Sequence, residues 1–263
     1  MNLSLEGKHA LVCGSSQGIG KAIAIQLAKQ GASITLFARN AEALEKVKAE
    51  LDGSQGQKHL CLTADFSKPD QVLDVVSQHL SSVNFQYQIL INNTGGPAPG
   101  PAHLSDSQAF LSAFNQHLIN NQNLVQALLP GMKSSNFGRV INVISTSVKQ
   151  PLPNLGVSNT VRGAVANWAK TLANELGPFD ITVNNVLPGA TATARLDAII
   201  ANKAKKLDKT LEQVTEMEKS IIPLRRFGLP EEFANAVGFL ASPAAAYITG
   251  TNLPVDGGRT GCL

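Results

Sequence analysis

The chain is poor in cysteine, tyrosine and charge. Its three cysteines, Cys13, Cys61 and Cys262, are odd in number and far apart, which argues against a disulfide framework and gives no metal-binding spacing. A reducing, cytoplasmic setting fits that usage. No apolar run approaches the roughly 18 residues of a membrane-spanning helix. The opening stretch has no basic leader before its apolar run, which ends in a glycine turn where a cleavage site would stand, so neither export nor insertion is expected. Charged residues make up 16% and the net charge is +3, too small and too scattered an excess for nucleic acid. The one concentration, Lys203, Lys205 and Lys206, reads as a solvated helix face. With only Tyr87 and Tyr247, phenols for proton-transfer chemistry are scarce.

What the chain does have is apolar content for a large core, 43% of its 263 residues. Sheets covered by helices on both faces often run this long undivided, so a single domain over 1–263 is expected. Short β-branched runs alternate with longer helical patterns: His9–Cys13, Lys21–Lys29, Ile34–Phe37, Ala41–Leu51, His59–Thr63, Gln71–Leu80 and Ile89–Ile91. The second half continues with a helix over Phe110–Leu129, a strand over Arg139–Ile144, a helix over Leu155–Leu176 and a strand over Ile181–Val186. Helices across Leu196–Glu218 and Glu231–Leu240 precede a last strand near Asn252–Val255. This alternation predicts an α/β fold, a Rossmann-type doubly wound parallel sheet of about seven strands with helices on both faces.

Gly14-Ser15-Ser16-Gln17-Gly18-Ile19-Gly20 follows the first strand and opens the first helix. Glycines here permit a tight turn and bring backbone N–H groups close to a diphosphate, with the helix N-terminus facing the anion. A glycine triplet alone also fits an ordinary turn; the flanking strand and helix favour a dinucleotide cradle. The second strand ends in Phe37-Ala38-Arg39-Asn40, with no acid to accept from a ribose 2′-OH. The planar fork of Arg39 suits a 2′-phosphate, so NADP(H) is expected over NAD(H). The plainer reading is a surface arginine at a helix start.

In order and spacing, Cys13–Gly20, Ala64-Asp65, Asn92-Asn93-Thr94-Gly95, Gly138–Ser145, Pro188-Gly189 with Thr193, and Pro254–Gly258 resemble the short-chain dehydrogenase/reductase family. The likeness spans about Leu5 to Gly258. It implies that Asp65 meets the adenine with Phe66 at the same edge, and that Asn93 and Gly95 line the adenosine ribose while supporting the sheet. It also implies that Thr191 and Thr193 reach the nicotinamide carboxamide, Thr193 having the better spacing from Pro188-Gly189. Sheet packing, and for the threonines a capped helix start, are the plainer roles.

In that family a serine holds the substrate oxygen, a tyrosine moves the proton, a lysine lowers the tyrosine's pKa and an asparagine supports a water relay. Ser145 stands at the serine's place. At the places of the tyrosine and lysine, aligned by Trp168–Ala173, this chain has Ser158 and Arg162, and His117 replaces the asparagine. The four-residue spacing keeps Ser158 and Arg162 on one helical face. A serine hydroxyl lacks a phenol's acidity, however, and Arg162 does not give up its proton near neutral pH. Neither tyrosine lies at a matching position, and Tyr87 reads as a packing residue. Arg162 can hold the nicotinamide ribose and offer donors to a developing alkoxide. His117, with an unperturbed pKa near 6.5, can pass protons through water or serve as a hydrogen-bonded helix residue.

Two functions follow from the resemblance and its departures. One is an NADP(H)-dependent oxidoreductase acting on a small-molecule carbonyl or alcohol, a 3-oxoacyl group among the candidates. The other is a cofactor-binding member without dehydrogenase activity, with a regulatory or structural role. Residues 194–222 lie where this family covers the substrate side as a helical lid. Their apolar stripe, Leu196, Ile199, Ile200, Leu207, Leu211, Val214, Met217 and Ile221, either admits a lipophilic group or packs as core. Asn136 and Phe179 stand where the similar 3-oxoacyl-carrier-protein reductases place arginines for an acidic carrier, with Lys133 and Arg139 nearby as substitutes. The resemblance further implies a homo-oligomer, a dimer or tetramer, built on the helices at 110–129 and 155–176.

Overall fold

The apolar runs become parallel strands: β1 (His9–Cys13), β2 (Ser33–Ala38), β3 (Leu60–Thr63), β4 (Ile89–Asn92), β5 (Gly138–Val143), β6 (Ile181–Pro188) and β7 (Asn252–Val255). The computed structural model, which describes residues 1–262, joins them in one sheet of order β3-β2-β1-β4-β5-β6-β7. After β3 the chain crosses back to the other side of β1. The loops after β1 and β4 therefore leave in opposite directions and open a crevice at the carboxyl ends of the strands.

The helices are α1 (Gly18–Lys29), α2 (Ala41–Lys48), α3 (Pro69–Ser82), α4 (Ser107–Phe114), α5 (Asn120–Ser134), α6 (Gly156–Leu176), α7 (Ala194–Leu207), α8 (Leu211–Ser220) and α9 (Pro230–Ala241). Successive strand side chains point to opposite faces. Ala10 and Val12 of β1 accordingly join Ile23 and Leu27 of α1 and Phe233 and Val237 of α9 in one apolar layer. Leu11 and Cys13 join Leu124 and Leu128 of α5 and Ala169 and Ala173 of α6 in the other. Burial on both faces is why the central strands read as continuous apolar runs.

One row across the sheet is polar. Asn92, Asn142, Asn185 and Asn252 are register neighbours on β4 to β7. The side-chain amide of Asn92 donates to Asn142 (2.8 Å), Asn142 to Asn185 (2.9 Å) and Asn185 to Asn252 (2.8 Å). Amides can be buried here because neighbours along the row replace hydrogen bonds that water would make, although the Asn92 amide oxygen at its end has no partner.

Some expectations are revised. The helix expected over Phe110–Leu129 is longer and is interrupted: α4 passes through a π turn, Asn115–Ile119, into α5. The stripe across 194–222 is largely not core. Ile200 and Val214 are buried, with Leu196 packed against them, but Ile199, Leu207, Leu211, Met217 and Ile221 are exposed. Arg139 cannot serve a carrier protein, because it is buried with Nη1 donating to the carbonyls of Gly138 and Asp180. Lys133 lies over the Phe179 ring, 3.9 Å from its centroid. Tyr87 is a packing residue, its hydroxyl 2.5 Å from Thr35 Oγ1 and 2.7 Å from His79 Nε2. Among the described residues no helix is long and apolar enough to cross a membrane.

The asparagine row yields a stability test. Asn142→Ala leaves the Asn92 amide N–H and the Asn185 amide oxygen buried without partners, and is expected to cost about 2–4 kcal/mol by urea denaturation. The exposed change Asn167→Ala should stay within about 0.5 kcal/mol. Equal midpoints for the two variants would show that the row contributes nothing.

Candidate active site

The turn between β1 and α1 is built on what glycine lacks. Gly14 and Gly18 have φ of +60° and +56°, the left-handed region that a Cβ disfavours. At Gly20 the limit is space: a Cβ there would stand 2.1 Å from the Gly14 carbonyl oxygen. Asn93 closes the turn from β4, its amide donating to the carbonyls of Cys13 (3.3 Å) and Gly14 (3.2 Å). Gln17, at the N-cap of α1, makes no side-chain cap bond, and the first turn holds no acid. The first-turn N–H groups are therefore free to meet an anion. Bare backbone, free donors and absence of negative charge fit the diphosphate of a dinucleotide. Ser16 and Gln17 lie at the rim of this cradle, while Ile19 packs against the core layer beneath.

At the adenosine end, Arg39 is exposed directly after β2, and Asp65 follows the neighbouring β3. The Ser67 N–H donates to the Asp65 carboxylate at 3.0 Å. That bond, aided by the charge of Arg39, holds the Asp65 carboxyl below its ordinary range. The two side chains thus share the edge at which an adenosine 2′-phosphate would be read. Gly95, in the turn after β4, is exposed with open space where a Cβ would stand.

Three of the expected ligand contacts are committed elsewhere. Ser15 is fully buried, and its hydroxyl accepts from the Phe37 N–H at 2.9 Å, tying the turn to β2. Phe66 is turned into the core against the Phe37 ring, with centroids 4.9 Å apart, because the apolar layer there needs its volume. Thr191 is buried with its hydroxyl on the Gly189 carbonyl (3.3 Å). Thr193 caps α7, accepting from the Leu196 N–H at 3.4 Å, and its methyl lies 3.4 Å from the place of a Cβ on Gly18. Of the two threonines, Thr193 therefore touches the cradle.

At the catalytic end, Ser145 follows β5 and accepts from the Ser147 N–H at 3.1 Å, which leaves its own hydroxyl proton free to donate. Ser158 is half-buried near the start of α6, and one turn later Arg162 is 7% exposed, its Nη1 donating to the Val143 carbonyl at 3.1 Å. Burial, with the charge of Arg195, pulls the Arg162 pKa down to about 10, so the group stays protonated near neutrality. His117 lies in the π turn, 1% exposed, with Nδ1 2.6 Å from Thr94 Oγ1 and Nε2 unpartnered. Burial first, then the charges of Arg162 and Arg195, bring its pKa down to about 2. Near neutrality this shift leaves the His117 ring uncharged, so any role it has there is that of a neutral imidazole.

Sequence reasoning missed Thr94 and Arg195. Thr94 meets His117 across 23 residues of chain, a contact that no local pattern announces. Arg195, second residue of α7, reaches back to the turn after β4: a Cβ on Gly96 would lie 2.7 Å from its Nη2.

Comparison with known proteins bears on the family and the fold. The family model described as enoyl-(acyl carrier protein) reductase matches residues 14–260. The NADPH-dependent reductase BacG of Bacillus subtilis is 32% identical over 251 residues, covering 95% of this chain and 97% of that protein. The 3-oxoacyl-[acyl-carrier-protein] reductase FabG of Pseudomonas aeruginosa is 35% identical over 264 residues, covering 97% and 98%. The structure of L-sorbose reductase from Gluconobacter frateurii, complexed with NADPH and L-sorbose, superposes with a TM-score of 0.93 at 30% identity over 100% of both chains.

The buried histidine has a pH signature. The unfolded chain takes up a proton at His117 below about pH 6.5, the folded chain only near its pKa of about 2. This group thus leaves stability unchanged above pH 6.5 and lowers it progressively as the pH falls from there. His117→Asn is expected to flatten that part of the profile, read as urea midpoints from pH 7 down to pH 4. Parallel profiles for the two proteins would show that the ring titrates as in water.

Proposed function

Because this chain belongs to the short-chain dehydrogenase/reductase family, we propose that it reduces a small-molecule carbonyl, or oxidises the corresponding alcohol, at a site built from Ser145, Ser158 and Arg162. It is an NADP-dependent oxidoreductase. The cradle carries the reading: Gly14 and Gly18 in left-handed conformations, Gly20 with no room for a side chain, and the free N–H groups of α1. Gly14, Ser16, Gln17, Gly18, Ile19 and Gly20 hold the diphosphate, Arg39 and Asp65 the adenosine end, Asn93 and Gly95 the adjoining turn, and Thr193 the nicotinamide end.

When bound, the nicotinamide supplies or accepts a hydride. The chain's own groups do the rest. Ser145 donates its free hydroxyl proton to the substrate oxygen. Arg162, charged and fixed on the Val143 carbonyl, places further N–H donors where negative charge develops on that oxygen, an electrostatic contribution that needs no phenol. Ser158, one helical turn away on the same face, lines the route by which solvent delivers the proton. His117 is a positioning residue that holds Thr94 and with it the turn after β4. In this proposal residues 1–263 act as one domain and 194–222 cover the substrate side, their exposed apolar row facing lipophilic parts of the substrate. Exposed Leu111 and Phe114 on α4 support assembly of several copies.

NADPH binding and oxidation across a ketone and 3-oxoacyl-thioester panel test the reading. NADPH is expected to bind at least tenfold more tightly than NADH, with Arg39→Ala removing most of the difference. Ser145→Ala should lower kcat about a hundredfold while NADPH affinity holds. NADPH binding without turnover of any carbonyl compound, followed by activity gained in the Ser158→Tyr, Arg162→Lys double variant, would instead identify a cofactor-binding protein without dehydrogenase activity.

A further inference from the structure

The catalytic end carries more positive charge than the proposed reaction needs. Arg162 is buried beneath it, and Arg195 reaches over the Gly96 loop from the cover helix α7. Both are close enough to His117 to depress its pKa, and Arg195 does the same to Arg162. Neither guanidinium has a carboxylate partner among the described residues. Arg162 is buried while Arg195 is exposed, and an anion placed between them would relieve their mutual repulsion. One further polar group lacks a partner here: Nε2 of His117, on a residue only 1% exposed. Arg162 makes a single side-chain hydrogen bond, to the Val143 carbonyl.

We propose that Arg195, with Arg162 beneath it, binds a carboxylate borne by the carbonyl substrate, so that the enzyme selects oxo acids over neutral ketones. The inference rests on the oxidoreductase reading above and names the substrate class of that site. An anion could also be the cofactor's diphosphate, but the placement favours the substrate. The diphosphate cradle is the β1–α1 turn, which Thr193 covers, whereas Arg195 turns to the loop after β4 and acts on the two groups of the catalytic end. A planar, bidentate guanidinium on the cover helix also gives that helix a reason to close, since it would gain its partner only with substrate present.

The test uses the enzyme saturated with NADP+. Pyruvate, 4-oxopentanoate and 4-oxocyclohexanecarboxylate are titrated calorimetrically against their methyl esters. At least one acid is expected to bind tenfold or more tightly than its ester, and Arg195→Gln should abolish that preference while changing NADPH affinity less than threefold. Equal binding of all acids and esters overturns the proposal. So does an Arg195→Gln variant that keeps the preference, or one that loses NADPH affinity tenfold and keeps it, which would assign the anion to the cofactor. Circular dichroism of the variant, whose residue is exposed, separates these outcomes from misfolding. Acid preference without any NADPH oxidation would uphold the carboxylate site and count against the oxidoreductase reading alone.

Discussion

The rest of the molecule depends on how closely three backbone segments approach one another at the crossover point of the sheet. The start of α1 presses on the Gly14 carbonyl at Gly20, and a Cβ on Gly14 would lie 2.5 Å from the Asn93 carbonyl oxygen. Only side-chain-free residues allow this contact, and the Asn93 amide then fixes it by bonding to both carbonyls of the turn. Because Gly14 and Gly20 carry no side chains and the Asn93 amide is held on the carbonyls of the turn, the N–H groups of the helix open directly onto the crevice. Ser15 reinforces the arrangement from the other side by accepting from the Phe37 N–H. Binding geometry and fold are therefore one constraint here: a change that loosens the turn also shifts the ends of β1, β2 and β4.

In the proposed catalytic site charge is reassigned. A phenol with a lysine beside it would make a site in which one group gives up a proton; a serine with an arginine makes one in which charge is fixed and protons come from elsewhere. The burial of Arg162 and His117 sharpens this division. Desolvation costs the arginine little of its protonation near neutrality but removes that of the histidine altogether. What the π turn supplies is position: it sets the ring against Thr94 and so couples α4 and α5 to the turn that follows β4.

The cradle and the sheet were legible because each is written in local sequence, glycines at fixed offsets in one case and β-branched runs between helical periods in the other. Ser145, Ser158 and Arg162 were singled out by the resemblance to the family's motifs; spacing added only that Ser158 and Arg162 share one helical face. Side-chain direction could not. Ser15 and Phe66 occupy places near a ligand by sequence yet face inward, because the Phe37 backbone needs a donor's partner and the core needs an aromatic ring. Arg195 was silent for a different reason: its target, the Gly96 loop, is nearly a hundred residues away in the chain, and nothing within α7 marks it. The exposed row on α7 and α8 shows the limit of periodicity, since helical spacing identifies an apolar face but not what covers it.

The amide row across β4 to β7 also bears on how the sheet finds its pairing. Parallel strands meet late and across long stretches of chain, so mispaired intermediates are a hazard of this topology. If β5 slid by one residue, Ile141 or Val143 would stand opposite Asn92 and Asn185, and both amides would be shut in against hydrocarbon. Aliphatic neighbours alone would tolerate such a slip with little penalty. The row thus acts as a proofreader of alignment, favouring the single pairing in which the carboxyl ends of these strands finish level and the crevice above them has an even floor.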